Sequence, residues 1–244
     1  MKTPGDLLQA LGIAETLGAK RPLAVCLDFD GTVTTRDAVL ATLDRYGAPE
    51  WKLWEARWRR GEMSSRDCMR RQFETVRASL EEVVQTVTEI EIRPGFREFI
   101  AWCEKRDVPV IILSDGLDLC IRAILDGAGL SRLPVVANHG EIEGRRFRTS
   151  FPYHNEACTQ CGTCKCSFVE ALRARAEHLV YVGDGHSDRC ASAKADTLFA
   201  RDDLARMCKA KGYRYLPFTD FYGLRADIQD LLSRLEAHPH PPRP

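Results

Sequence analysis

The stretch Leu23-Ala24-Val25-Cys26-Leu27-Asp28-Phe29-Asp30-Gly31-Thr32 decides the fold. Its five apolar residues read as a strand buried on both faces, because a strand with one wet face would alternate apolar and polar positions. The run ends on two carboxylates at alternate positions. Buried charges are costly unless a cation or a reacting group answers them, and the Gly-Thr that follows permits a sharp turn with exposed backbone N–H groups. A metal ion and a phosphoryl group would both be served by such a strand end.

Further strand-like runs at 109–113, 133–137, 179–183 and 197–200 join the first at 23–28. Helical patterns lie between them. In 94–106, Phe96, Phe99, Ile100 and Cys103 share one face, Pro94 suits a first turn and Lys105-Arg106 suit the last. Alternating strands and helices predict an α/β fold, Rossmann-like, with a mostly parallel central sheet covered by helices on both faces. Ligands of such sheets bind beyond the carboxyl ends of the strands.

Three more polar motifs stand at those ends or at a helix start. Val110–Leu113 runs into Ser114-Asp115-Gly116, Leu179–Val182 runs into Gly183-Asp184-Gly185-His186-Ser187-Asp188, and Lys165 opens the helical pattern of Phe168, Val169 and Leu172. Taken singly, Ser114 fits an ordinary N-cap, Lys165 a solvated cation and Asp184 a turn residue. The set of four points to chemistry.

Residues 36–90 interrupt the alternation with helical pattern only, and contain two candidate capping boxes, Ser64-x-x-Asp67 and Ser79-x-x-Glu82. The segment reads as an inserted helical cap, which assigns 1–35 and 91–236 to the α/β core and 237–244 to a Pro-rich tail. The first twenty residues offer a weak helical pattern. Trp51, Trp54 and Trp58 have helical spacing and read as the cap's own core, with a pocket-lining stripe as the alternative. A polar hairpin on the surface is expected at 138–149, turning near Glu143-Gly144.

The chain of 244 residues suffices for one core and a smaller accessory domain. Lys+Arg and Asp+Glu balance at 35 each, which argues against nucleic acid and anionic membranes as partners and for a small molecule. No apolar run approaches the ~20 residues that span a bilayer, and no signal-peptide pattern stands at the start. The expectation is a soluble, cytoplasmic protein. Most of its ten cysteines, among them Cys26, Cys103, Cys120 and Cys190, fall in strand or helix patterns as small hydrophobes. Cys158, Cys161, Cys164 and Cys166, with His154 nearby, form a compact cluster around Lys165 open to three readings: reduced thiols, a structural Zn2+ site, or a redox-labile disulfide.

The four motifs resemble those of the haloacid dehalogenase superfamily: an aspartate pair, a Ser/Thr, a Lys and an acidic Gly-Asp loop. The position of the helical insertion resembles the phosphoserine-phosphatase-like branch. The resemblance implies a phosphomonoester hydrolase for a small phosphorylated metabolite. Asp28 would be the nucleophile that forms an aspartyl-phosphate, and Asp30 the acid and base. Thr32, Ser114, Asp115, Gly116 and Lys165 would hold the phosphoryl group. Mg2+ would be held by Asp28, Asp184 and the backbone carbonyl of Asp30, with Asp188 behind them.

The segment Cys158-Thr-Gln-Cys-Gly-Thr-Cys-Lys165, with Phe199–Asp202 and Leu216–Tyr222, resembles the methionine-salvage members, which act on 2-hydroxy-3-keto-5-methylthiopentenyl-1-phosphate. Phosphoethanolamine/phosphocholine and phosphoserine phosphatases share the motifs, although Val33–Asp37 lacks the Glu usual in the last of these. A phosphotransferase or a non-catalytic phospho-ligand module is the alternative of another class.

Overall fold

The computed structural model describes residues 4–10 and 21–237. The N-terminal helical expectation is met by α1 (Pro4–Ala10). Its remainder, and the tail beyond Ala237, lie outside the described residues. The chain divides into two compact units, one of Met1–Leu27, Arg93–Ile111 and Cys166–Pro244, the other of Asp28–Ile92 and Ile112–Lys165.

The first unit is built on β1 (Arg21–Leu27). Leu23 to Leu27 are almost wholly buried, as a strand covered on both faces requires. It pairs in parallel with β5 (Ala176–Gly183), with Leu27 opposite Val182. Next come β6 (Thr197–Ala200) and the two-residue β7 (Leu216–Pro217), also parallel. On its other side the N–H of Val25 donates to Pro109 O, at the start of β2 (Val110–Leu117).

Helix α6 (Phe96–Lys105) packs against α11 (Phe221–Ala237) through Phe96, Phe99, Phe218 and Phe221, whose rings meet at centroid distances of 4.8 to 5.4 Å. It begins two residues later than the sequence pattern placed it, because Gly95 adopts φ 82° and Pro94 O accepts from the Phe221 N–H. A Cβ at Gly95 would lie 2.8 Å from Tyr222 N, so glycine is required there on two counts. Helices α8 (Lys165–Arg173), α9 (Arg189–Ser192) and α10 (Asp202–Lys211) complete the connections.

The second unit holds α2 (Ala38–Tyr46), α3 (Trp51–Arg59), α4 (Ser65–Glu74) and α5 (Leu80–Thr88), the four helices of the insertion. Asp37 caps α2, Ser64 caps α4, and Ser79 with Glu82 forms a full capping box on α5. The tryptophan stripe divides. Trp51 is buried, while Trp54 and Trp58 are partly exposed on a helix that buries no other residue.

After α5 come the rest of β2, α7 (Asp118–Gly127), β3 (Val135–Glu143) and β4 (Arg146–Ser150). β2 pairs with β3 in parallel, with the register broken between Leu113 and Leu117. β3 and β4 form the expected antiparallel hairpin, closing at the Glu143–Arg146 pair. It is more than a surface feature: Phe147 is buried against Phe73 of α4, 4.9 Å between centroids, and Arg145 donates to Glu82 and to Arg77 O.

The hydrogen-bonded strand order is β4-β3-β2-β1-β5-β6-β7, mostly parallel as expected. Among the described residues no helix is long and apolar enough to cross a membrane.

Candidate active site

The turn after β1 is organised by Phe29. Its side chain is fully buried, and its carbonyl accepts the N–H groups of Thr32, Val33 and Thr34 at 3.2, 2.8 and 3.1 Å. Gly31, at φ 76°, lets the chain fold over that carbonyl. Alternation then sends Asp28 and Asp30 away from the core side that Phe29 occupies.

Asp28 is buried and accepts a hydrogen bond from Lys165 Nζ at 2.5 Å, with both side chains almost entirely out of solvent. A lysine would not be buried at the start of a helix without such a partner. Asp30 accepts from the Ala38 N–H at 2.7 Å. Its pKa is raised well above the usual carboxylate range, chiefly by burial, then by the charge of Asp37 and that of Asp28; the Ala38 N–H and Lys165 pull it back. Asp37 itself is pushed up to about 6, mainly by burial.

Ser114, Asp115 and Gly116 occupy the broken register of β2, so they end a strand and cap no helix; α7 is preceded by Leu117. Ser114 Oγ accepts the Gly116 N–H at 2.9 Å. A Cβ on Gly116 would stand 2.5 Å from Asp30 Oδ2, so this position admits only glycine while Asp30 keeps its place.

The Asp115 side chain does work that sequence reasoning did not assign to it. Oδ1 accepts from the Thr163 N–H at 2.8 Å and from Asn138 Nδ2 at 3.1 Å, and Oδ2 accepts from Ser65 Oγ at 2.5 Å. Ser65, Asn138 and Thr163 come from three distant segments. Only the Gly-Thr just before Lys165 carried any hint, as small polar residues beside a motif.

The cysteine loop is docked by its backbone. The Ser65 N–H donates to Gln160 O at 2.7 Å and Arg66 to Cys158 O at 3.2 Å. None of the ten cysteines is paired in a disulfide. The Cys161 thiol is pushed up by burial and then by its hydrogen bond with Cys158. Among the described residues no three of the clustered cysteines gather as a ligand set, and His154 Nδ1 lies 2.6 Å from Phe151 O. Cys26, Cys103 and Cys120 are buried as expected. Cys190 is exposed, because α9 has only four residues and turns it outward.

In the other unit β5 delivers Asp184 directly after Gly183. Asp188 is wholly buried. It accepts from Tyr181 Oη at 2.6 Å and from the N–H groups of Asp184 and Gly185 at 3.1 and 3.0 Å. A Cβ on Gly183 would come within 2.5 Å of Asp188 Oδ2. Asp184 O accepts from the Leu204 N–H at 2.8 Å, so its backbone is fixed from both sides. Leu27 pairs with Val182, so β1 and β5 end side by side at their carboxyl ends.

A family model described as Putative Phosphatase matches residues 23–215. The chain belongs to this family. In sequence the phosphatase is 31% identical over 216 residues to the bifunctional enzyme MtnB/MtnX of Bacillus licheniformis, covering 86% of this chain and half the length of that one. It is 30% identical over 216 residues to the 2-hydroxy-3-keto-5-methylthiopentenyl-1-phosphate phosphatase of Bacillus velezensis, covering 87% of this chain and 92% of that one. In structure the phosphatase resembles a phosphoserine phosphatase solved as a phospho-aspartyl intermediate analogue, with a TM-score of 0.61 at 19% identity over 88% of this chain and 99% of that one. The two chains share a fold.

Proposed function

We propose that this phosphatase hydrolyses a small phosphomonoester through an aspartyl-phosphate on Asp28. The observation that carries the reading is the buried Asp28–Lys165 pair beside a carboxyl, Asp30, whose pKa is raised. A phosphomonoester dianion repels nucleophiles, so the catalyst must supply cations and hold the reactants in line. Lys165 pairs with Asp28 in a dry site and faces the incoming phosphoryl oxygens, to which Ser114 and the Asp115 N–H add donors.

An Asp28 oxygen attacks phosphorus as the bond to the leaving oxygen breaks, and Asp30, whose raised pKa favours the protonated form, gives that oxygen its proton. Asp30 then takes a proton from water. The water oxygen attacks the aspartyl-phosphate, releasing inorganic phosphate and regenerating Asp28.

The donors fit a hard divalent cation: Asp28, Asp184 and the carbonyl of Asp30 offer oxygen only, the preference of Mg2+. Bound Mg2+ would neutralise charge between the carboxylates and the substrate. Asp188, by holding the backbone of Asp184, would fix one of those ligands. For the cysteine loop we assign backbone docking to α4.

The segment 36–90 serves as the cap that closes over the leaving group, on a core of 1–35 and 91–236. The name of the Bacillus velezensis relative supports 2-hydroxy-3-keto-5-methylthiopentenyl-1-phosphate as the substrate. The test is phosphate release from that enol ester, phosphocholine, phosphoethanolamine, phosphoserine and sugar phosphates, with Mg2+ and with chelator. Mg2+-dependent release, greatest on the enol ester, is the expected outcome. A new phosphoester in place of free phosphate would overturn hydrolysis, and preference for an amino-alcohol ester would overturn the substrate.

A further inference from the structure

We propose that the side chain of Asp115 is a positioning residue for Lys165, acting through Thr163 with Asn138 as its brace. The proposal rests on the reading of Lys165 given above. Asp115 Oδ1 holds the N–H of Thr163, whose carbonyl accepts the N–H of Lys165 at 2.9 Å. Asn138 closes the ring: Nδ2 donates to Asp115 O at 2.7 Å and to Oδ1 at 3.1 Å, while Oδ1 accepts from Thr163 Oγ1 at 3.0 Å.

Asn138 and Thr163 are wholly buried, so no water competes for these bonds. The fit is tight. A Cβ on Gly162 would lie 2.6 Å from Asp115 Oδ1 and 2.8 Å from Asn138 Nδ2, so the loop comes this close only with glycine. Lysine is long and flexible, and a fixed backbone origin is what lets its ammonium rest on Asp28 at 2.5 Å. Ser65, at the start of α4, occupies the other Asp115 oxygen and keeps the carboxylate from rotating. The Asp115 side chain therefore serves the site without touching the phosphoryl group.

A double-mutant cycle on hydrolysis of p-nitrophenyl phosphate with Mg2+ tests this. Asp115→Ala is expected to lower kcat about 100-fold, the scale of an ångström-sized misplacement, with a smaller change in KM. Lys165→Ala lowers it further, and Asp115→Ala/Lys165→Ala is no slower than Lys165→Ala alone. Multiplying losses in the double variant, or an unchanged kcat in Asp115→Ala, would overturn the proposal.

Should Asp115→Ala not fold, Asp115→Asn, which keeps one oxygen acceptor, enters the same cycle with a smaller loss. Thr163→Val, which keeps the N–H and loses only the hydroxyl, is expected to cost a few-fold. Amide exchange over 158–166 separates the two readings. Faster exchange in Asp115→Ala, with Lys165→Ala fully active, would refute the role of Lys165 in hydrolysis and leave the tie standing; unchanged exchange would sink the tie itself.

Discussion

The loops that follow β1 and β5 each carry two aspartates, and the structure uses the second aspartate of each in opposite ways. Asp188 is wholly buried and accepts three hydrogen bonds, from Tyr181 and from two backbone N–H groups of its own loop. Asp30 is partly exposed, and its pKa is raised by burial and by two neighbouring carboxylates. A carboxylate surrounded by donors orients what it touches. A carboxyl that is buried and pressed by like charge holds its proton more tightly than usual. Identical side chains at strand ends thus differ in environment because of what faces them.

The widest contrast is expected between the chemistry of the first loop and the architecture of the second. Asp28→Asn should lower kcat by at least about 10^4-fold, the scale of removing a nucleophile, with thermal unfolding close to that of the parent. Asp188→Ala should weigh on stability as well as on activity. It strands the Tyr181 hydroxyl and two N–H groups at about 1–3 kcal/mol each, so the midpoint of urea unfolding should fall clearly. Should Asp188→Ala unfold like the parent, the orienting role drawn from its three donors would be wrong.

The contrast also marks what could be read from the sequence. Strand β1 and its carboxylates were legible because an unbroken apolar run and a polar end are local signals, and the same holds for β5 and for the capped helices α4 and α5. Asn138 and Ser65 were not, since their partner Asp115 lies 23 and 50 positions away and nothing local distinguishes them from surface polar residues. The burial of Phe147 was hidden for the same reason: the hairpin is polar by composition, and its one aromatic is buried by Phe73, a residue of the insertion. Trp54 and Trp58 show the converse, as helical spacing marks a face without saying what covers it.

Asp30→Asn sharpens the comparison by its dependence on the leaving group. An alkyl ester needs a proton as it departs and should slow by about 10^2- to 10^4-fold, the range for a general acid. p-Nitrophenyl phosphate leaves without one, so its phosphorylation step should change far less. Measuring both esters on one preparation removes differences in folding from the ratio. Equal losses would put Asp30 beside Asp188, as a residue that orients its loop and moves no proton.

The smallest effect should come from Asp37, which faces Asp30 and caps α2 by accepting the Leu40 N–H at 2.8 Å. Its pKa is pushed up from the ordinary carboxylate value to about 6, chiefly by burial. The folded protein then binds more protons than the unfolded chain between about pH 4 and pH 6, so this group's contribution to stability declines as pH rises through that window. Asp37→Asn retains the cap oxygen and cannot ionise. Urea unfolding at a series of pH values should therefore show a smaller decline from pH 4 to pH 6 in the variant than in the parent. An identical slope in both proteins would mean that Asp37 is not held in the environment that raises its pKa. The repulsion it lends to Asp30 would then be too weak to help keep the proton that the first loop is proposed to donate.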